Sequence, residues 1–174
     1  KKAPEVIPTG YPGEVSVEVV LSAPFGDHRL VAKYDAIFWS GEGSQRQALI
    51  VDWKTFQHRP ARQWLASRLQ THVYLYVLAI AGRAGTYGDP LPSENIAMLY
   101  WFPAFPDHPE RFPYDTQKFG QDQEYLQSLL MEIVHLNESD FHQTPDEARC
   151  AFCTYRSLCD RGVQAGNLDL VEWD

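Results

Sequence analysis

The sequence predicts an α/β (α+β) fold with a small mixed central sheet flanked by helices. Three observations carry that reading. Three β-branched runs between residues 15 and 55 are separated only by short turns rich in Gly, Pro and Ser. A long apolar-rich segment opened by Pro60 follows, with helical character. A further apolar run, Ile96 to Phe102, precedes a second helical segment. The resulting order, β-β-β-α-β-α, places helices against a sheet rather than in a bundle.

Each element has its own signal. Residues 1–14 hold Pro4, Pro8, Pro12, Gly10 and Gly13, which read as an irregular lead-in. Val15 to Ser22 (VSVEVVLS) is β-branched and alternates at first, as a strand does. Pro24 to His28 is a turn, Leu30 to Trp39 a second strand, and Ser40 to Ser44 (SGEGS) another turn. Ala48 to Thr55 (ALIVDWKT) is a third strand. Such short connections predict an antiparallel meander. Pro60 suits the first turn of a helix, where its missing N–H has no partner to lose. That helix is expected to run to Ala81 and stop at Gly82. Residues 82–94 are glycine- and proline-rich and read as a loop. Ile96 to Phe102 (IAMLYWF) is apolar almost throughout, as a strand covered on both faces is. Pro103 to Pro113 reads as a proline-rich connector, Phe119 to Leu136 as a second helix, and a tail begins at Thr144.

Composition narrows the class. The 174 residues are 44% hydrophobic, which excludes a disordered or collagenous chain and fits one domain from 1 to 174. The longest apolar stretch, Val73 to Ala81, is far short of the ~20 residues of a membrane span. Lys1 and Lys2 lead into Ala-Pro-Glu rather than an apolar run, so no signal peptide is expected. The net charge of −8 argues against a polyanion-binding surface spread over the whole protein. A local basic site remains compatible with it. From Trp53 to Gly88 there is no Asp or Glu, while Lys54, Arg59, Arg62, Arg68 and Arg83 are present.

That basic stretch follows the densest chemistry in the chain. Alternation puts Asp52 and Lys54 on one side of the third strand and Val51 and Trp53 on the other. By itself Asp-x-Lys reads as a solvated strand end with an ion pair. Asp35 lies inside the neighbouring strand, where aspartate is disfavoured and needs a partner. A hairpin between the two strands brings Asp35 towards Asp52, and the pair then repels unless a cation lies between them. Two carboxylates and a backbone carbonyl form an oxygen-only site that suits Mg²⁺ or Mn²⁺. Otherwise Asp35 pairs with Lys33 or an arginine as structure. Gln70 and Tyr74, four residues apart, share one face of the long helix. Glu18, between Val17 and Val19, reads as a solvent-facing strand residue with a supporting role as the alternative.

Cys150, Cys153 and Cys159 fall within ten residues at C-x2-C-x5-C spacing. Three clustered cysteines fit metal or cluster ligation in a reducing, cytoplasmic compartment better than a disulfide framework. Three thiols leave one position open, for which His142 or an upstream cysteine is a candidate.

Taken in order, Asp35, Asp52-x-Lys54 and Gln70-x-x-x-Tyr74 resemble the PD-(D/E)XK nuclease superfamily. The nearest branch in pattern is the RecB-like exonucleases, including AddB-type and CRISPR-associated members that carry an iron–sulfur cluster. IVDWKT is similar to their strand motif, QTHVY to their helix motif, and the cysteine spacing to their last three cluster ligands. The resemblance spans residues 15–161. It implies a restriction-endonuclease-like core and metal-dependent hydrolysis of DNA. Asp35, Asp52 and the Trp53 carbonyl would hold Mg²⁺ or Mn²⁺. Lys54 would position the attacking water, and Gln70 and Tyr74 would orient Lys54 or the DNA. Cys150, Cys153 and Cys159 would bind the cluster. It also implies DNA as partner, with a helicase or another repair protein alongside and no membrane. The family's first cysteine and a metal-binding histidine come from a helix before the first strand. That helix is expected to lie upstream of Lys1, and Lys33 stands where glycine is common. A different expectation is a degenerate, non-catalytic nuclease fold that binds DNA or a protein. A third is a zinc-stapled interaction domain.

Overall fold

The computed structural model describes residues 13–82, 91–151 and 153–162. The chain divides into two compact units, 1–128 and 129–174. The first contains a five-stranded mixed sheet in the order β1-β2-β3-β4-β5. Its strands are β1 (Val15–Phe25), β2 (His28–Ser40), β3 (Gln47–Trp53), β4 (Ile96–Trp101) and β5 (Glu110–Pro113). Its helices are α1 (Arg62–Ser67), α2 (Leu69–Ala81) and α3 (Thr116–Val134), whose last turns fall in the second unit.

β1, β2 and β3 form the expected antiparallel meander. β1 and β2 join through two residues, with Phe25 opposite His28. Gly26 sits there at φ +57°, a conformation that L side chains resist, so Phe-Gly-Asp-His closes a tight hairpin. β3 and β4 run parallel, with Ile50 opposite Met98, so α1 and α2 form the crossover between them. α2 and α3 meet through stacked Tyr76 and Phe119, whose ring centroids are 5.0 Å apart.

Burial follows this layering. One cluster includes Tyr34, Ile37, Ile50, Leu65, Val77, Leu78, Met98 and Phe112, and gathers the sheet face beneath α1 and α2. A second, including Phe38, Leu49, Val51, Leu99 and Trp101, occupies the other face. Ala48 to Val51 are therefore buried whichever way they point, and all six residues of β4 are buried. No helix among the described residues is long and apolar enough to cross a membrane.

The helix expected from Pro60 to Ala81 is two helices. α1 begins only after Ala61, and Arg68 breaks the run in an extended conformation (φ −67°, ψ 134°). The break has a tertiary cause. Buried Thr71 donates its hydroxyl to the Leu65 carbonyl at 2.6 Å, capping the last turn of α1, and lies 2.8 Å from Tyr100 Oη. Gly82 does end α2. A Cβ there would meet the Leu78 carbonyl oxygen at 2.4 Å, so close approach selects the glycine.

The expected Pro103–Pro113 connector contains β5. Glu110 and Phe112 are buried and Arg111 and Pro113 exposed, a two-residue period that the surrounding prolines obscure. A proline is tolerated at this edge position because it has no ladder partner to donate to.

Ile50 is fully buried at the centre of β3. Ile50→Ala is expected to cost about 2–5 kcal/mol through lost contacts and an unfilled cavity. Urea unfolding checks this as a lower midpoint at unchanged slope.

Candidate active site

The site forms where β3 ends. The β3–β4 ladder continues one residue past the strand, with Lys54 N–H donating to the Trp101 carbonyl at 2.9 Å. Asp52 continues the Ile50 side of β3 towards α2 and is only 2% exposed. Its Oδ2 lies 2.8 Å from Lys54 Nζ. Gln70, in the first turn of α2, completes a ring. Its amide donates to Asp52 Oδ1 at 2.7 Å and its carbonyl accepts from Lys54 Nζ at 2.9 Å. The amide offers a donor and an acceptor on one rigid plane without titrating, which suits it to bridge a carboxylate and an ammonium.

Lys54 is not the solvated strand-end residue that Asp-x-Lys alone implies. Its side chain is 18% exposed and Nζ lies 5.7 Å from the Tyr100 ring centroid. Burial raises the Asp52 carboxyl above its ordinary range, and the nearby Asp35 charge adds to that, against the pull of Lys54. Among the described residues, Asp52 Oδ2 takes no hydrogen bond beyond the Lys54 ammonium.

Asp35 is exposed, although its surroundings in the sequence look like core. Among the described residues its partner is neither Lys33 nor an arginine. Oδ2 accepts the Trp53 N–H at 3.0 Å, midway between Asp52 and Lys54. Ala36 pairs with Val51, so one further step of the same register sets Asp35 opposite Asp52. Glu18 falls opposite Asp35 between the pairs Val17–Ala36 and Val19–Tyr34. Glu18 is exposed, with φ +51°, and interrupts the β1 ladder there.

Tyr74 does not reach Lys54 through a hydrogen bond. Its hydroxyl donates to the Lys33 carbonyl, and its ring lies 4.7 Å from that of Tyr34. Tyr34 in turn donates to the Tyr74 carbonyl at 2.9 Å. The two tyrosines thus fasten α2 to β2 two residues from Asp35. Burial raises both hydroxyls above the ordinary phenol range.

The basic stretch is less free than its sequence implies. Arg59 and Arg62 both bind the buried carboxylate of Glu110 in β5, Arg62 at 2.7 Å. Arg62 also donates to the Arg111 carbonyl at 2.7 Å and lies over Phe112. Burial works to raise Glu110, but the bonds from the two arginines outweigh it and hold the carboxyl below its usual range. Arg83 lies outside the described residues. Glu110, Thr71 and Tyr100 are site neighbours that sequence patterning misses. Tyr100 carries the one hydroxyl of the fourth strand, and burial pushes it up to about 12.

The cofactors divide. Two convergent carboxylates, a buried oxygen with spare acceptor capacity and an oxygen-only donor set fit a hard divalent cation. The cysteines do not assemble a site as they stand. No group of three or more His, Cys, Asp or Glu side chains among the described residues is placed to share a metal. Cys150 Sγ instead accepts an N–H from Arg161 at 3.0 Å, and His142 is exposed.

A restriction-endonuclease-like architecture with this motif set defines a nuclease class, and the family comparison agrees. A PD-(D/E)XK nuclease superfamily model matches residues 5–160. The chain belongs to that superfamily. No curated protein matches it. Among solved structures, one described as the crystal structure of SSO0001 is similar at 13% identity and a TM-score of 0.46. The match covers 92% of this chain and 66% of that one, so this chain spans just under two thirds of its length.

A pH dependence follows from the raised Asp52. Ionising it costs more in the folded chain than in the unfolded one. Its contribution to stability is thus most favourable below the ordinary carboxylate value, about 4, and is lost as pH rises through the raised folded value. Asp52→Asn removes that loss. In EDTA, the melting temperature of Asp52→Asn minus that of wild type is expected to climb as pH rises from about 4. A flat or falling difference would contradict the assignment.

Proposed function

We propose that this domain is a divalent-metal-dependent deoxyribonuclease, with residues 1–174 acting as one nuclease domain. The observation that carries the reading is the Asp52–Lys54–Gln70 ring with Asp35 at its edge. Asp35, Asp52 and the Trp53 carbonyl would hold Mg²⁺ or Mn²⁺. When bound, the cation supplies Lewis-acid charge for attack on a phosphodiester. Lys54 holds the attacking water and stabilises negative charge growing on the phosphoryl oxygens. Gln70 keeps the Lys54 ammonium aimed at the carboxylate site. Tyr74 keeps β2, and so Asp35, in register with α2.

Finer assignments rest on motif order and spacing. They are a RecB-like exonuclease activity, a role in DNA repair, recombination or defence, and a helicase or other repair partner. C-x2-C-x5-C spacing supports an iron–sulfur cluster in a protein that supplies a fourth ligand from upstream. A non-catalytic nuclease fold draws support from the net charge of −8 and from the complete engagement of Lys54 with Asp52 and Gln70.

Lys54→Met keeps most of the buried stem while removing the charge. It is expected to lower Mg²⁺-dependent cleavage of linear DNA by about a hundredfold, corresponding to about 3 kcal/mol of lost transition-state stabilisation. Mg²⁺ should still raise its melting temperature. Equal cleavage by variant and wild type, or none by either, contradicts the catalytic reading. For the cysteines, protein expressed with whatever sequence precedes residue 1 and purified without oxygen should contain iron; zinc in its place refutes the cluster.

A further inference from the structure

The arginines following β3 differ in one respect. Arg59 and Arg62 are committed to Glu110. Among the described residues, Arg68 makes no side-chain hydrogen bond or ion pair, and its guanidinium lies on an aromatic face. Its Cζ lies 4.5 Å from the centroid of Trp64, and the residue is half-buried. Stacking uses the flat face of a guanidinium and leaves the N–H donors around its edge unspent. Those donors, in a planar fork, match two oxygens of a phosphate.

Its place in the chain sets Arg68 close to the site. Arg68 is the residue at which α1 stops and α2 starts, two positions before Gln70. The break is fixed from both sides, because Thr71 caps Leu65 and the Arg68 carbonyl accepts the N–H groups of Thr71 and His72. Trp64 is itself held edge-on by Phe56, at 5.9 Å between centroids. The positive charge of Arg68 is felt at Asp52 and at Tyr100. The carboxylates of Asp35 and Asp52 repel an incoming polyanion, and Lys54 is already committed to Asp52 and Gln70. A seated guanidinium whose charge reaches Asp52 offsets part of this repulsion.

We infer that Arg68, seated on Trp64, binds a backbone phosphate of the DNA strand entering the site, with Trp64 as its positioning residue. The inference rests on the deoxyribonuclease reading and adds to it a substrate-binding residue outside the Asp35, Asp52-x-Lys54 and Gln70-x-x-x-Tyr74 motifs. It predicts sequence-independent affinity from Arg68, carried by release of condensed counterions.

The test is binding of a fluorescent DNA oligonucleotide in EDTA, titrated across a series of salt concentrations. Arg68→Gln should flatten the slope of log K against log salt by about 0.7–0.9, the value for one phosphate contact. Near 0.1 M salt that amounts to an affinity loss of about five- to eightfold. Arg68→Lys should keep the slope, because it keeps the charge. The melting temperatures of both variants should stay close to that of wild type. A wild-type slope for Arg68→Gln overturns the inference while leaving the nuclease reading intact. Equal loss in both variants, accompanied by a lower melting temperature, assigns Arg68 a structural role and overturns it too. Wild-type protein that neither binds nor cleaves DNA refutes the nuclease reading, and this inference with it.

Discussion

The site depends on keeping one carboxylate, Asp52, ionised in a place that disfavours its charge. Burial costs a carboxylate free energy unless partners return it. Here the partners are the Lys54 ammonium at 2.8 Å and the Gln70 amide at 2.7 Å. The lysine comes from the same strand and the glutamine from α2, so the polar ring links β3 to the crossover helix. Helix placement then matters as much as strand parity. α2 is set by the Thr71–Leu65 cap, by the two tyrosines that fasten it to β2, and by the Tyr76–Phe119 stack with α3. Each contact also fixes where Gln70 can point.

The same arrangement explains how an acidic chain can accommodate a polyanion. Charge near the site is sorted by partner. Arg59 and Arg62 share one buried glutamate, which offsets one of their two charges, and tie the segment after β3 to β5. Lys54 is tied to the ring. The surplus positive charge is thereby reduced to groups of fixed position, which favours register over general attraction. Asp35 belongs to this balance as well. Its hydrogen bond to Trp53 N–H holds a second carboxylate beside Asp52 and leaves that pair short of positive charge.

Much of this was legible in the sequence because it depends on alternation and local spacing. Strand parity placed Asp52 and Lys54 together, and the helical i, i+4 step placed Gln70 and Tyr74 on one face. The meander and the buried β4 were legible from β-branched runs and short turns. The remainder depends on contacts that neither strand alternation nor helical spacing marks. The break at Arg68 comes from a hydroxyl three residues later reaching back across the junction, in a segment without glycine or proline to mark it. β5 is four residues long among prolines, and its partner is β4. Asp35 looks buried among apolar neighbours, yet it is exposed and bonds a backbone N–H on the next strand. Tyr74 is expected from the motif to orient Lys54 or the DNA, and spacing alone does not show that its hydroxyl donates to the Lys33 carbonyl. The cysteine spacing is clear, while the residues around it gather no metal site.

The central claim is that the Asp35–Asp52 pair is a divalent-cation site. Paramagnetic broadening by Mn²⁺ in an amide NMR spectrum tests it most directly. The signals of Asp35, Asp52, Trp53 and Lys54 should vanish first, at Mn²⁺ well below one equivalent, while those of the Phe25–His28 hairpin at the other end of β2 persist. Broadening that begins elsewhere, or that spreads evenly over the surface acids, would contradict it.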